Sequence, residues 1–231
     1  MTKNIKMLIR RAASVFCLGG MLLSAGLFTS CTEKDNTVEE FTNWQSKNET
    51  YWNKLYTTTQ QKIKSGDTSW KIILNYTFQN QKQTSGSALT YSPENYIIAH
   101  VEQAGSGTAS PLYSDSVSMH YMGRLIPSTT YTSGLIFDKS WSNDTFNATT
   151  SRPNHSYIGL SYDSKGKPVS LVDGFTTALM SMHRGDHWIV YIPYQLGYGS
   201  TSTGLVPAYS ILIFDLRLVD FSHPGTKLKD S

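Results

Sequence analysis

The sequence has very few cysteines: its 231 residues include only Cys17 and Cys31. Cys17 lies in an apolar N-terminal stretch that is typical of an export signal and that we expect to be removed. The mature chain would then hold a single thiol, which cannot form an intramolecular disulfide. The sequence therefore excludes a small fold held together by disulfide bonds.

An excess of charge of one sign is also absent. The chain has 20 cationic and 17 acidic side chains, and four of the cations precede Glu33, the first acidic residue. Without residues 1–30, 16 cationic side chains remain against 17 acidic ones, which is a net charge near -1. Because no basic run occurs downstream, the sequence gives no support for a nucleic-acid partner.

The common local motifs of nucleophilic and phosphate chemistry are missing as well. The sequence contains no G-x-S-x-G elbow, P-loop or dinucleotide fingerprint. His183 and His187 are four residues apart, as zinc ligands on a helix would be, but Gly185 lies between them and no third ligand accompanies them. We therefore expect no metal ion and no cofactor.

The residues that are present indicate a folded, strand-rich protein. Apolar residues make up 39 % of the chain, aromatic residues 12 % and charged residues 16 %, with a mean hydropathy of -0.31. This composition is unlike that of disordered chains and of proteins with many membrane spans. The length suits one domain with a smaller extension.

The N-terminal residues have the layout of a signal peptide. A basic start precedes an apolar stretch over residues 12–28, and small polar residues precede Cys31. A transmembrane helix is the alternative, although 17 residues interrupted by glycine and serine are short for a bilayer. Residues 27–31 resemble the lipobox of bacterial lipoproteins. We expect residues 1–30 to be cleaved, Cys31 to carry a lipid, and the protein to be anchored in the cell envelope at the outer membrane, with its facing left open.

Hydrophobic periodicity predicts the regular elements of the N-terminal third. Apolar residues at helical spacing predict one amphipathic helix within residues 38–64, and the turn formers Ser65-Gly66-Asp67 follow it. Alternating apolar side chains predict a strand from Trp70 to Phe78. The polar residues 79–92 indicate a boundary between an N-terminal extension and the main domain.

The rest of the chain predicts an antiparallel sheet and one helix. Apolar residues at i, i+3, i+7 and i+10 place the helix at residues 172–182, closed by Arg184-Gly185. Alternation predicts strands over residues 96–102, 115–126, 188–192 and 212–218. We therefore expect an α+β fold. The predicted divisions are a signal peptide (1–30), a tether with a helix and strand extension (31–92), the main domain (93–223) and a tail (224–231).

Five segments occur in a fixed order between about residues 96 and 221. They are His120-Tyr121-Met122-Gly123, Phe137-Asp138-Lys139-Ser140, Val172-Asp173-Gly174-Phe175, Ile192-Pro193-Tyr194-Gln195-Leu196-Gly197-Tyr198-Gly199 and Leu212-Ile213-Phe214-Asp215-Leu216. Together they resemble the FKBP-type peptidyl-prolyl cis/trans isomerases. The resemblance implies a strongly curved antiparallel sheet wrapped around one short helix, with an apolar pocket that receives a proline ring.

The resemblance also implies which residues form the site. The residues implied in catalysis are Asp138, Tyr198 and Phe137. Those implied in substrate binding are Tyr121, Phe146, Leu171, Val172, Phe175 and Phe214. In this family the Tyr198 hydroxyl would donate to a substrate carbonyl, and Asp138 would contact the Tyr121 hydroxyl. The implied partners are proline-containing segments of exported proteins, with macrolide inhibitors as further ligands.

Two alternatives stay open at this point. Phe175 stands where active members of the family commonly have Trp, and residues 147–167 form an insert, so the chain could be an FKBP-like module that binds peptides without useful catalysis. A third hypothesis is a structural lipoprotein whose N-terminal helix mediates dimers or docking through Phe41, Trp44, Trp52 and Leu55.

Overall fold

The computed structural model describes residues 39–81, 86 and 89–228. The predicted signal peptide, residues 1–30, and the predicted lipid attachment site, Cys31, lie outside the described residues. Both therefore stay predictions. Within the described part of the chain, no helix has the length and hydrophobicity needed to cross a membrane.

The helices and strands of the described residues follow one another along the chain. They are α1 (Trp44–Lys64), β1 (Trp70–Leu74), α2 (Tyr76–Gln79), β2 (Tyr96–Gln103), β3 (Ser116–Arg124), β4 (Ile136–Lys139), β5 (Asn154–Tyr157), β6 (Ser161–Tyr162), β7 (Pro168–Val169), α3 (Asp173–Ser181), β8 (His187–Ile192) and β9 (Leu212–Ser222). Short 3₁₀ turns occur at Pro93–Asn95 and Tyr194–Leu196.

Seven of these strands form one antiparallel sheet in the order β1-β2-β8-β9-β3-β4, and β5 also pairs with β3. Strand β3 lies against β9 on one side. On its other side it pairs with β5 near its start and with β4 near its end. Strands β6 and β7 form a separate hairpin that begins in the predicted insert, residues 147–167, and ends just beyond it. The predicted α+β class, with an antiparallel sheet and a helix packed on it, is confirmed.

Helix α3 covers one face of the sheet. Val190 on β8 pairs with Ala99 on β2 and with Phe214 on β9, so these three side chains share a face. Phe175 on α3 lies on that face, with its ring centroid 4.7 Å from the ring centroid of Phe214. The buried residues Phe175 and Leu179 are four positions apart and form the apolar side of the helix.

Helix α1 covers the opposite face. The ring centroids of Tyr56 on α1 and Tyr96 on β2 are 6.0 Å apart, and Lys62 Nζ lies 4.0 Å from the ring centroid of Trp70 on β1. Because Tyr96 is three residues before Ala99, its side chain lies on the other face of the strand. The sheet is therefore enclosed between two helices.

The residues predicted as an N-terminal extension share this core. Strand β1 pairs with β2 at the edge of the sheet, and Trp44 and Trp52 of α1 are buried in the same cluster as the sheet residues. The strand predicted over Trp70 to Phe78 ends at Leu74. The chain turns there because the Tyr76 backbone N–H donates to Thr177 Oγ1 on α3 at 3.2 Å, and α2 follows.

Candidate functional site

A cavity of about 180 Å³ opens where α3 meets the ends of β3, β4, β5 and β9. Its floor is apolar and its rim is polar. The lining residues are Met119, Tyr121, Phe137, Asp138, Asn154, Ser156, Ser170, Leu171, Val172, Phe175, Tyr198 and Phe214.

Four aromatic rings from four different elements form the floor and walls. Phe214 of β9 lies at the centre, with ring centroids 4.7 Å from Phe175, 5.6 Å from Phe137 and 6.2 Å from Tyr121. All three pairs meet edge to face, which is a favoured geometry for aromatic rings. Phe175 and Phe214 are only 4 % and 6 % exposed. The rings therefore hold one another in place and leave an apolar space above them.

A hydrogen bond joins two residues of the rim. The Tyr121 hydroxyl donates to Asp138 Oδ2 at 2.8 Å, which is the contact that the resemblance implies. Burial raises the pKa of Tyr121 to about 12, and the bond to Asp138 adds to this. Asn154 Nδ2 donates to the same hydroxyl oxygen at 3.5 Å. Tyr121 therefore stays protonated at neutral pH and does not act as a base.

Tyr198 also lines the cavity, and it follows the turn at Tyr194–Leu196. It is 38 % exposed, and within the described residues its hydroxyl makes no hydrogen bond. Burial raises the pKa of Tyr198, and the negative charge of Asp138 raises it further. This hydroxyl therefore keeps its proton and is free to donate a hydrogen bond to a ligand.

The structure brings together all of the predicted site residues except Phe146. That residue packs on the other face of β3, with its ring centroid 4.8 Å from His120 and 5.2 Å from Trp141. The Arg217 guanidinium carbon lies 4.4 Å from the centre of its ring. His120 and Tyr121 are successive residues of a strand and point to opposite faces. A ring that packs on His120 is therefore kept out of a cavity lined by Tyr121, and the placement of Phe146 in the pocket is corrected.

Strand β5 supplies the wall that the sequence assigned to Phe146. Asn154 and Ser156 pair with Met119 and Val117 of β3, so their side chains share the cavity face. Met119, Asn154, Ser156 and Ser170 are the lining residues that sequence reasoning missed. The polar side chains of β5 give no apolar alternation, and only the register with β3 shows which way they point.

The two histidines with helical spacing do not form a metal site. His183 Nδ1 lies 3.6 Å from Asp186, whereas His187 Nε2 lies 2.9 Å from Asp215. Across residues 39–81, 86 and 89–228, no three His, Cys, Asp or Glu side chains are grouped so as to hold a metal ion.

The residues that line this cavity all lie in a part of the chain that matches a known protein family. Residues 107–219 match the family model described as FKBP-type peptidyl-prolyl cis-trans isomerase. The chain is 32 % identical over 149 residues to the macrophage infectivity potentiator of Trypanosoma cruzi, covering 64 % of this chain and 63 % of that protein. It is 27 % identical over 139 residues to the FKBP-type peptidyl-prolyl cis-trans isomerase FkpA of Aeromonas hydrophila, covering 58 % and 41 %.

Among solved structures, a peptidyl-prolyl cis-trans isomerase of Pseudomonas syringae is 26 % identical, with a TM-score of 0.41, over 55 % of this chain and 76 % of that one. The chain spans less than two thirds of the length of each of the two curated relatives named above.

Proposed function

We propose that this chain, of which residues 107–219 match the family model described as FKBP-type peptidyl-prolyl cis-trans isomerase, is a member of that family and accelerates rotation about Xaa–Pro peptide bonds. The observation that carries the proposal is the cluster of four rings under a rim with two tyrosine hydroxyls and a carboxylate. The floor offers apolar space for a proline ring, and the rim offers hydrogen bonds to the peptide backbone on either side of it.

The reaction needs no nucleophile and no proton transfer. Rotation about a peptide bond is opposed by a barrier of roughly 18–20 kcal/mol, because resonance delocalises the nitrogen lone pair into the carbonyl. An Xaa–Pro bond therefore interconverts over tens to hundreds of seconds unaided. A twisted amide has lost this charge separation and is less disfavoured by leaving water. A cavity lined by Phe137, Phe175 and Phe214 thus favours the transition state over the planar ground state.

The polar rim orients the substrate. The free Tyr198 hydroxyl donates to a substrate carbonyl, while Asp138 is held by Tyr121 beside the rotating amide. The raised pKa values of both tyrosines keep their hydroxyls protonated at neutral pH. Tyr121 and Tyr198 therefore act as hydrogen-bond donors and not as general bases.

The proposed substrates are proline-containing segments of exported proteins that fold in the cell envelope. The signal-like residues 1–30 and the lipobox-like residues 27–31 support an enzyme anchored through a lipid on Cys31 at the outer membrane. The apolar floor also supports macrolides as inhibitors, since a large apolar ring system can cover the same surface.

The test is a protease-coupled assay of Xaa-Pro tetrapeptides with the purified protein, Phe137→Ala and Phe146→Ala. We expect wild type to accelerate isomerisation and Phe137→Ala to lower kcat/KM about tenfold or more. An aromatic pair contributes about 0.5–1.5 kcal/mol beyond its buried area, and about 1.4 kcal/mol corresponds to tenfold. Phe146→Ala is the matched control because its ring lies outside the cavity, and we expect it to keep its activity. A folded wild-type sample without activity would favour the peptide-binding module instead.

A further inference from the structure

Tyr198 is carried by a long connection between β8 and β9, residues 193–211, which we call the Tyr198 segment. Within it, regular structure is limited to the turn at Tyr194–Leu196 and a single bridge between Thr203 and Val206. The position of the Tyr198 hydroxyl therefore depends on contacts that other parts of the chain make with this segment.

The returning half of the Tyr198 segment passes through a strained residue. Tyr209 has a φ of 62°, in the left-handed region that bulky residues rarely adopt. Its backbone N–H donates to the Gly199 carbonyl at 2.8 Å, and its ring centroid lies 5.3 Å from that of Tyr194. This geometry ties Tyr209 to the residue that directly follows Tyr198. Such a conformation persists only where the surroundings impose it.

Helix α1 holds the two residues that follow Tyr209. The Ile211 backbone N–H donates to Asn48 Oδ1 at 2.8 Å. Trp44 Nε1 donates to Ser210 Oγ at 2.7 Å, and Ser210 Oγ in turn donates to the Pro207 carbonyl at 2.7 Å. The helix therefore fixes the chain immediately beyond the strained residue.

The same helix reaches the start of the segment as well. The Tyr194 hydroxyl donates to Glu49 Oε1 at 3.2 Å. Two adjacent residues of α1, Asn48 and Glu49, thus contact opposite ends of the segment that carries Tyr198.

Asn48 is an unusual residue to find inside a helix. Asparagine has a low helix propensity, and burying an amide without partners is unfavourable. Asn48 is fully buried, and its side chain makes two bonds: it accepts from Ile211 and donates from Nδ2 to the Trp44 carbonyl at 2.7 Å. The second bond fixes the amide so that its oxygen faces the Tyr198 segment.

We infer that Asn48 is a positioning residue for the isomerase site: through Ile211, Tyr209 and Gly199, it sets the place of the Tyr198 hydroxyl at the rim. The inference rests on the proposed function for its effect on activity. It assigns a role to a helix that lies outside the matched residues 107–219.

The first test compares Asn48→Ala with Leu55→Ala. Leu55 also packs on the core from α1, about 10 Å further along the helix axis, so it serves as a control for loss of stability alone. With both variants folded by circular dichroism, we expect Asn48→Ala to lower kcat/KM by more than about twofold and by no more than the roughly tenfold that corresponds to one hydrogen bond. We expect Leu55→Ala to stay within about twofold of wild type.

The second test does not depend on activity. Burial raises the pKa of Tyr198, so a pH titration of its ring carbon by NMR reports whether the ring stays at the cavity. We expect the pKa of Tyr198 to move towards its ordinary value in Asn48→Ala and to be unchanged in Leu55→Ala. Equal behaviour of the two variants in this titration would overturn the inference.

The two proposals fail in different ways. A wild-type protein without isomerase activity would refute the proposed function, while a Tyr198 pKa that moves only in Asn48→Ala would still support the positioning role. If Asn48→Ala does not fold, Trp44→Phe keeps an aromatic ring at this position, although a smaller one, and removes the N–H that reaches Ser210. We expect it to move the Tyr198 pKa in the same direction and to lower kcat/KM about twofold to fivefold. An unchanged Tyr198 pKa in Trp44→Phe would overturn the inference.

Discussion

Removal of the Tyr198 hydroxyl is expected to change catalysis without changing stability. Within the described residues it makes no hydrogen bond, and its residue is 38 % exposed. Tyr198→Phe therefore removes a donor that only a substrate would use and leaves the ring in the cavity wall. We expect the free energy of unfolding to change by less than about 0.5 kcal/mol, as for surface substitutions that break no specific contact.

The expected loss of activity follows from the energy of one neutral hydrogen bond. Such a bond contributes about 0.5–1.5 kcal/mol net, and a factor of ten in rate corresponds to about 1.36 kcal/mol. Tyr198→Phe should therefore lower kcat/KM between about twofold and about tenfold. The effect is smaller than the one expected for Phe137→Ala, because the apolar floor stays complete.

Tyr121→Phe is the matched comparison. Its hydroxyl donates to Asp138 at 2.8 Å in the free protein, so its removal breaks an existing bond. We expect this variant to lose both activity and stability. Protease-coupled rates and urea unfolding of the two variants measure both quantities. A Tyr198→Phe protein with unchanged kcat/KM, or with a loss of stability equal to that of Tyr121→Phe, would refute the reasoning.

Two further predictions concern packing and pH. A Cβ at Gly123 would lie 2.5 Å from Phe137 Cζ and 2.7 Å from Phe214 Cε1. We therefore expect Gly123→Ala to displace these two rings and to lower kcat/KM. An unchanged kcat/KM would contradict the ring packing. The Glu40 carboxylate accepts from Ser128 Oγ and from the Thr130 N–H, which lowers the pKa of Glu40 to about 2. Because the folded pKa lies below the ordinary value, this stabilisation is present above the ordinary pKa and is lost as pH falls towards about 2. We therefore expect the difference in unfolding free energy between wild type and Glu40→Gln to become smaller from about pH 6 to about pH 2.5. A difference that stays constant over this range would contradict the stabilising role of the Glu40 carboxylate.

Sequence patterns located the elements whose apolar faces meet in one core. The alternation in residues 212–218 predicted β9, and the spacing of Val172, Phe175 and Leu179 predicted α3, because the sheet and the helix each bury one face. The strand predicted up to Phe78 was wrong beyond Leu74. The alternation continues there in the sequence, but the chain turns where the Tyr76 backbone N–H donates to the side-chain oxygen of Thr177, 101 residues away. Local periodicity does not contain such a contact.

The site could be predicted where its residues lie in contiguous motifs. Three of the site residues lie in strand motifs that resemble those of the family, namely Tyr121, Asp138 and Phe214. The structure brings their side chains to one cavity. The wall assigned to Phe146 could not be predicted, because an aromatic residue after β4 can pack on either face of β3. The position of Asn154 depends on the register of a polar strand, which no apolar pattern fixes.

The aromatic residues of α1 bear on the hypothesis of a dimerising helix. Trp44 and Trp52 are 5 % and 3 % exposed, because they pack on the sheet of their own chain. They therefore offer little surface to a second copy. The same burial explains why α1 can act on the site at all: a helix fixed against the sheet by two tryptophans can hold Ile211 in place, whereas a helix on a loose tether could not. The residues that anchor α1 and the residue that positions the Tyr198 segment thus belong to one face of one helix.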